Sequence, residues 1–410
     1  MQHDEDASFR PDCARHERHP AERAASNLAG AHPSITAPAN STTTVLRHGI
    51  DSLYMSLPGQ LSDESQARLT ALKELAQQER EVMASAAVLP LGEHRFCVAS
   101  HGRRRFAFVI DDNWFSIALA SSSARRLPMA HCQISSELLT AVGPVAALDS
   151  LTEIADHLGQ LTGLPMVSRA DLYADFTTPA DLVAMPGQSW IKRCHKRAIF
   201  EDCDALTGVA FGLGGDLSCR IYDKTTEIER SEKHYLRPLW EVAGWNGSDR
   251  VWRLEFQLRR EVLVELQAGI LPALLDRLTA IWSYLTTDWL RLAIPNPDDD
   301  TRTRWPTHPD WAVLTKLDGM TAPSAVRVRR ERVPEDATLF RPGLAGVTSF
   351  MAREGIDDFE DGLRAFIHAA SAYHRDMAPQ PHGNALHRYV QRKVMAKQRR
   401  FNTITRHEPE

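Results

Sequence analysis

The sequence predicts an α+β chain that ends in a smaller helical module. Three observations carry this. Residues 166–260 read as strands with one apolar face and one charged face. After residue 260 the apolar pattern turns helical, with runs over 261–268 and 271–292 separated around Gly269 and Pro272. The stretch 294–310 (IPNPDDDTRTRWPTHPD) has the Pro, Asp and Thr of a linker, and 311–410 beyond it carries helical patterns near 357–375 and 384–398. No internal repeat of solenoid length recurs.

The elements follow in order. Residues 1–43, rich in Ala, His, Pro, Ser and Thr without an apolar period, read as a disordered leader. Residues 45–57 (VLRHGIDSLYMSL) suit a first strand. A long helix is expected over 62–88, with Leu69, Leu72, Leu75 and Met83 at helical spacing and Ser62 or Asp63 as cap. Short strands follow at 95–100 and 104–110, joined at His101-Gly102-Arg103, with another at 113–120. Ser150-Leu-Thr-Glu153 has the form of a capping box that opens a helix to about Leu161.

Composition bounds the function. The chain has 410 residues, 43% hydrophobic and 25% charged, which excludes a disordered chain, a collagen and a disulfide miniprotein. With 48 basic and 53 acidic residues, net −5, it is no uniformly basic DNA-coating protein, although local basic patches remain open. No run of 18 apolar residues marks a membrane span, and the polar N-terminus is not that of a signal peptide. The six cysteines form no C-x-x-C pair, so reduced thiols and a cytoplasmic location are expected.

Three strands concentrate charge. In 166–176, alternation puts Val167, Arg169, Asp171, Tyr173 and Asp175 on one face. In 217–228, Arg220, Tyr222 and Lys224 share a face. In 251–259, Arg253, Glu255, Gln257 and Arg259 do. If the three lie in one sheet, Asp171, Asp175 and Glu255 converge beside Tyr222. Carboxylates are hard ligands suited to Mg²⁺ or Mn²⁺. Such an ion polarises a phosphate oxygen. Arg220 and Lys224 would favour the phenolate of Tyr222 and make it a nucleophile for phosphoryl transfer. The plain alternative is that these charges pair across antiparallel strands. No P-loop, dinucleotide fingerprint or zinc spacing competes.

The order Arg169-Ala-Asp171 with Asp175, then Arg220-Ile-Tyr-Asp-Lys224 with Glu227, then Arg253-Leu-Glu255, resembles the replication initiation factor family. That family contains rolling-circle initiators of trans-acting plasmid type, filamentous-phage replication proteins and related relaxases. The glycine-rich Gly208–Gly215 and the opening Ile50-Asp51 resemble its other strands. The resemblance spans roughly 45–315. It implies an antiparallel sheet with helices packed on a face, forming a nicking domain over 44–293. It implies Tyr222 as nucleophile, with a 5′-phosphotyrosyl link and a free 3′-OH. It implies Asp171 and Glu255 as metal ligands, with Asp175 and Glu227 beside them, and it agrees with the lack of a His-apolar-His motif. Its implied partners are single-stranded or hairpin DNA at an origin, a host helicase and a second copy of the chain, with no membrane. The leader and the C-terminal module have no counterpart in it.

Basic clusters at Lys192, Arg193, His195, Lys196 and Arg197, at Arg327, Arg329, Arg330 and Arg332, and at Arg388, Arg392, Lys393, Lys397, Arg399, Arg400 and Arg406 suit phosphate contacts. Trp190 and Tyr389 are candidates to stack on a base. A solvated basic face is the alternative. The rivals to a nickase are a catalytically silent DNA-binding regulator of the same fold and a structural phage protein.

Overall fold

The computed structural model describes residues 42–78, 87–202, 205–316, 324–327, 334, 336–377 and 385–401, except for the side chains of 337, 338, 396 and 399–401. The chain divides into two units, Met1–Pro38 and Ala39–Glu410. The first, which contains most of the expected leader, lies outside the described residues.

The second unit is built on an antiparallel sheet of eleven strands. Among the described residues fifteen strands form: β1 Thr44–Leu57, β2 Gly59–Leu61, β3 Val88–Leu91, β4 His94–Val98, β5 Phe108–Asp111, β6 Phe115–Leu119, β7 Ala130–Ile134, β8 Gly159–Leu161, β9 Met166–Thr177, β10 Trp190–Lys192, β11 Arg197–Asp202, β12 Ala205–Phe211, β13 Leu217–Asp223, β14 Trp252–Arg259 and β15 Leu290–Leu292. The large sheet runs β11-β12-β13-β14-β9-β1-β7-β6-β5-β4-β3. Its two longest strands, β1 and β9, lie side by side at its centre. The expected α+β architecture therefore forms, and the three charged strands β9, β14 and β13 are direct neighbours.

Alternation sets the faces. Leu172, Ala174 and Phe176 of β9, Leu254, Phe256 and Leu258 of β14, and Leu53, Met55 and Leu57 of β1 are all buried in the main core. Helices cover this face. Leu263, Leu274, Ile281, Trp282 and Trp289 come from the region after β14, and Phe256 meets Trp282 and Trp289 edge-on at 5.6 and 6.1 Å. A second, smaller cluster of Leu46, Ile228, Leu236, Trp240, Trp245 and Val251 roofs part of the opposite, charged face.

Helices depart from expectation where backbone chemistry intervenes. α1, Asp63–Ala76, is capped by Ser62 as expected but ends before residue 88, and residues 79–86 lie outside the described set. α2, Ser136–Leu158, begins at an N-cap Ser135, so Ser150 is a mid-helix residue and no cap. Gly143 (φ 80°) and Pro144 break α2, and Pro144 restarts the helix because its missing N–H costs nothing in a first turn. α2 has the length and hydropathy of a membrane span, but its Leu139, Ala147, Leu151, Ile154 and Leu158 are buried in the protein core.

The run 271–292 is not one helix. It breaks into Leu271–Asp276, Leu278–Ser283 and a π-helical turn, Tyr284–Trp289, and then becomes β15, which pairs with β10. Within 294–310, Arg291 donates to the carbonyls of Trp305 and Thr303, and Ala293 bridges Thr307. Buried Trp311 carries the main core on to Leu314. The C-terminal module forms three helices, Asp336–Glu354, Phe359–Asp376 and Ala385–Phe401.

Candidate active site on the charged face of the sheet

The register brings the predicted residues together. Arg253 stands opposite Asp175 and Tyr222, Glu255 stands opposite Tyr173 and Arg220, and Gln257 stands opposite Asp171. Irregularities in the β1–β9 register between Ile50 and Ser52 insert Asp51 as an extra residue. Such a bulge re-aims side chains, and Asp51 joins the charged face, where it pairs with Arg253.

The centre of the site is Glu255. Tyr222 Oη donates to its Oε2 at 2.9 Å, and Arg220 ion-pairs with its Oε1. Glu255 is 3% exposed. Burial pushes its carboxyl up, but Arg220 and Arg253 outweigh this and hold it below the ordinary carboxylate range. Tyr222 responds in the opposite sense. Burial and the Glu255 charge push its phenol well above the usual value. The expected phenolate is therefore disfavoured at rest, because burial and the Glu255 charge oppose it while Arg220 is paired with Glu255. Lys224 differs too. β13 ends at Asp223, whose Oδ1 accepts from Thr226 N at 3.0 Å and caps the helix Lys224–Ser231. Lys224 is the first helical residue, buried and paired with Glu227. Its ammonium still lies 5.6 Å from the centre of the Tyr222 ring.

Asp171 and Asp175 take different parts. Asp175 is wholly buried. Arg253 Nε and Nη2 donate to its two oxygens at 2.6 and 2.8 Å, and Trp240 Nε1 adds a third bond at 2.9 Å. Arg253 also stacks 4.0 Å from the Tyr173 ring, whose hydroxyl accepts from Arg47 Nε at 2.7 Å. This end is a closed ion-pair lattice. Asp171 is gripped by Arg169 through two bonds of 2.9 and 2.6 Å. Burial nevertheless pushes it up to about 6, with Glu255 also raising it.

Among the described residues no group of three or more His, Cys, Asp and Glu side chains is arranged to hold a metal. The charge of Glu255 raises the Asp171 carboxyl, a repulsion that a divalent ion held by both would offset. Asp175, saturated by Arg253 and Trp240, anchors the sheet.

The sequence reading did not place Asp51, Trp240 or Gly208 in the site. Gly208 is opposite Tyr222, and a Cβ there would meet Ile221 O at 3.0 Å and Tyr222 Cβ at 3.2 Å. Its glycine-rich context was the available signal. No periodicity marks Asp51 or Trp240.

No family model matches the chain, and no curated protein does. A solved structure similar to it is a rolling circle replication initiator protein from Geobacillus stearothermophilus. It is 16% identical, over 66% of this chain and 95% of that chain, with a TM-score of 0.39. The roles of individual residues rest on this chain's own geometry.

The expected nucleic-acid contacts separate by exposure. Arg193 and Lys196 are exposed, whereas Lys192 Nζ donates to Cys194 O at 3.3 Å. Arg197 staples a loop through the Val183 and Met185 carbonyls. Trp190 cannot stack on a base: it is 1% exposed, packed against Phe211 and Trp311. Arg327 pairs with buried Glu265. Arg388, Arg392, Lys393 and Lys397 line the exposed last helix, with Lys393 Nζ 5.5 Å from the Tyr389 ring centre. The side chains of Arg399 and Arg400, and all of Arg329, Arg330, Arg332 and Arg406, lie outside the described residues.

Proposed function

We propose that this chain nicks and rejoins one strand of DNA through a covalent link at Tyr222, as an initiator of rolling-circle replication or transfer. The observation that carries the reading is the Tyr222–Glu255 hydrogen bond, a potential nucleophile joined to a buried, ionised carboxylate. Glu255 accepts the phenolic proton as Tyr222 Oη bonds to the scissile phosphorus. The bond from phosphorus to O3′ breaks, and the 3′-oxygen leaves and takes a proton from solvent. The reverse step rejoins the strand. Arg220 and Lys224 place positive charge beside the phosphorane as it forms. Asp171 and Glu255 would hold the Mg²⁺ or Mn²⁺ that the reading calls for, and that ion would polarise a phosphate oxygen. Origin DNA is the partner this reading requires. A host helicase, a second copy of the chain and a cytoplasmic location are further parts of the proposal.

A specific observation favours a second reading, a DNA-binding protein without nicking activity. The resting phenol is held protonated, and Asp171, Asp175 and Glu255 are each clamped by arginine. A pool of 3′-labelled single-stranded oligonucleotides, incubated with the protein and Mg²⁺ or Mn²⁺, separates the two. The nickase carries label through denaturing electrophoresis. Binding without any such adduct identifies the silent regulator.

A further inference from the structure

A polar cavity of about 450 Å³ opens beside the site. β1 and β7 supply Ser52 and Gln133, the start of α2 supplies Ser136 and Glu137, and the turn after the Lys224–Ser231 helix supplies Lys233 and Tyr235. Ser52 is opposite Asp171 in the β1–β9 register, so the cavity adjoins the carboxylates. Asp51, one residue away, is stabilised by the charge of Lys233 and helps to raise the Tyr222 phenol. The Tyr235 hydroxyl and Ser136 Oγ, 2.8 Å apart, close one wall.

Two groups in this cavity have unspent hydrogen-bonding capacity. The Gln133 amide is half-buried and makes no side-chain hydrogen bond among the described residues, and Lys233 makes no ion pair among them. Solvent can reach this half-buried amide, and the edge of a ligand could take the place of that water. Glu137 and Glu232 set two negative charges against the one lysine, which disfavours a phosphate here. The chemistry instead suits a neutral, flat group with donors and acceptors on its edge. The volume lies within the range of small-molecule sites, roughly 300–1,000 Å³, and admits a nucleoside.

We propose that this cavity is a nucleotide subsite, in which an unpaired base next to the scissile phosphate is read along its edge by Gln133 and walled by Tyr235. The proposal rests on the nicking site described above and names a specificity element for it. An amide offers a base one donor and one acceptor side by side, and a carboxylate offers acceptors only.

The test uses the full chain and fluorescence anisotropy with labelled dA, dC and dT homo-oligonucleotides. Wild type should rank the three, with a spread on the order of tenfold. Gln133→Ala should flatten that spread, and Gln133→Glu should change the order, because the amide donor is lost while size and position are kept. The difference between proteins cancels the stiffness of each oligonucleotide. An unchanged ranking in both variants, or no ranking in wild type, overturns the subsite. Adduct formation at Tyr222 is measured in parallel. An adduct from a protein without base preference sinks only the subsite. A base preference set by Gln133 in a protein that forms no adduct sinks only the nicking reading.

Discussion

Tyr222 and Glu255 are diagonal neighbours on adjacent strands, with the phenol donating at 2.9 Å to one carboxylate oxygen while Arg220 holds the other. The pair is poised asymmetrically. Glu255 is kept ionised and ready to accept, while Tyr222 keeps its proton because it is buried and because a second negative charge beside Glu255 is unfavourable. An incoming phosphate that draws Arg220 or a divalent ion toward Tyr222 would shift that balance.

Tyr222→Phe removes only the hydroxyl. It should abolish the covalent adduct and leave DNA affinity close to wild type, at a stability cost of about 1 kcal/mol for the lost hydrogen bond. The adduct gel and an anisotropy titration check both halves. Continued adduct formation by this variant would move the nucleophile to another tyrosine.

Gly208→Ala tests how tightly Tyr222 is seated. The new methyl would press on the Tyr222 Cβ and the Ile221 carbonyl. Overpacking of this kind costs about 1–3 kcal/mol and should displace the phenol from Glu255. Adduct formation should fall steeply in this variant. Gly343→Ala, where nothing lies within 4 Å of the added Cβ, is the control and should leave the rate unchanged.

Asp175→Ala should behave as a core defect. It leaves buried Arg253 with Asp51 but without its two-pronged partner, and breaking such a buried pair costs up to about 3–5 kcal/mol. Urea denaturation measures the loss. Asp171→Ala should lower cleavage and shift the divalent-ion requirement, with a smaller effect on stability because Arg169 is part-exposed. If Asp175→Ala is as stable as wild type, the lattice around Arg253 contributes little.

Asp171 also predicts a pH window. Its carboxyl is raised from 3.8 to about 6 in the fold. Between these values the folded state binds the proton more tightly than the unfolded chain does. Its contribution to stability is therefore present below about 3.8 and lost as pH rises to about 6. The stability of wild type relative to Asp171→Asn should fall across that interval and level off above it. Denaturation midpoints of the two proteins, compared at several pH values, give the answer. A constant difference would mean that folding does not raise the Asp171 carboxyl.

Deletion of residues 385–410 should weaken binding to any DNA sequence. Each phosphate contact on a single strand adds about −0.7 to the salt slope, so removing Arg388, Arg392, Lys393 and Lys397 should flatten it. Cleavage of bound oligonucleotide should persist, since the proposed active strands end at Arg259. An unchanged slope would transfer the phosphate contacts to Arg193 and Lys196.

By itself the sequence determined which residues share a face. The two-residue period of a strand places Asp171 with Asp175, Arg220 with Tyr222, and Arg253 with Glu255, whatever the rest of the fold does. It also marked the Ser62 cap and the last two helices, because both signals are local. The tertiary structure alone decided what each charge meets. Asp175 and Arg253 are 78 positions apart in the chain, and only strand register makes one the partner of the other. The extra residue at Asp51, the turn of Trp190 into the core and the arginine clamps on the carboxylates all depend on neighbours distant in sequence. The protonation of Tyr222 follows from them, because burial and the charge of Glu255 act through space, where spacing along the chain carries no information.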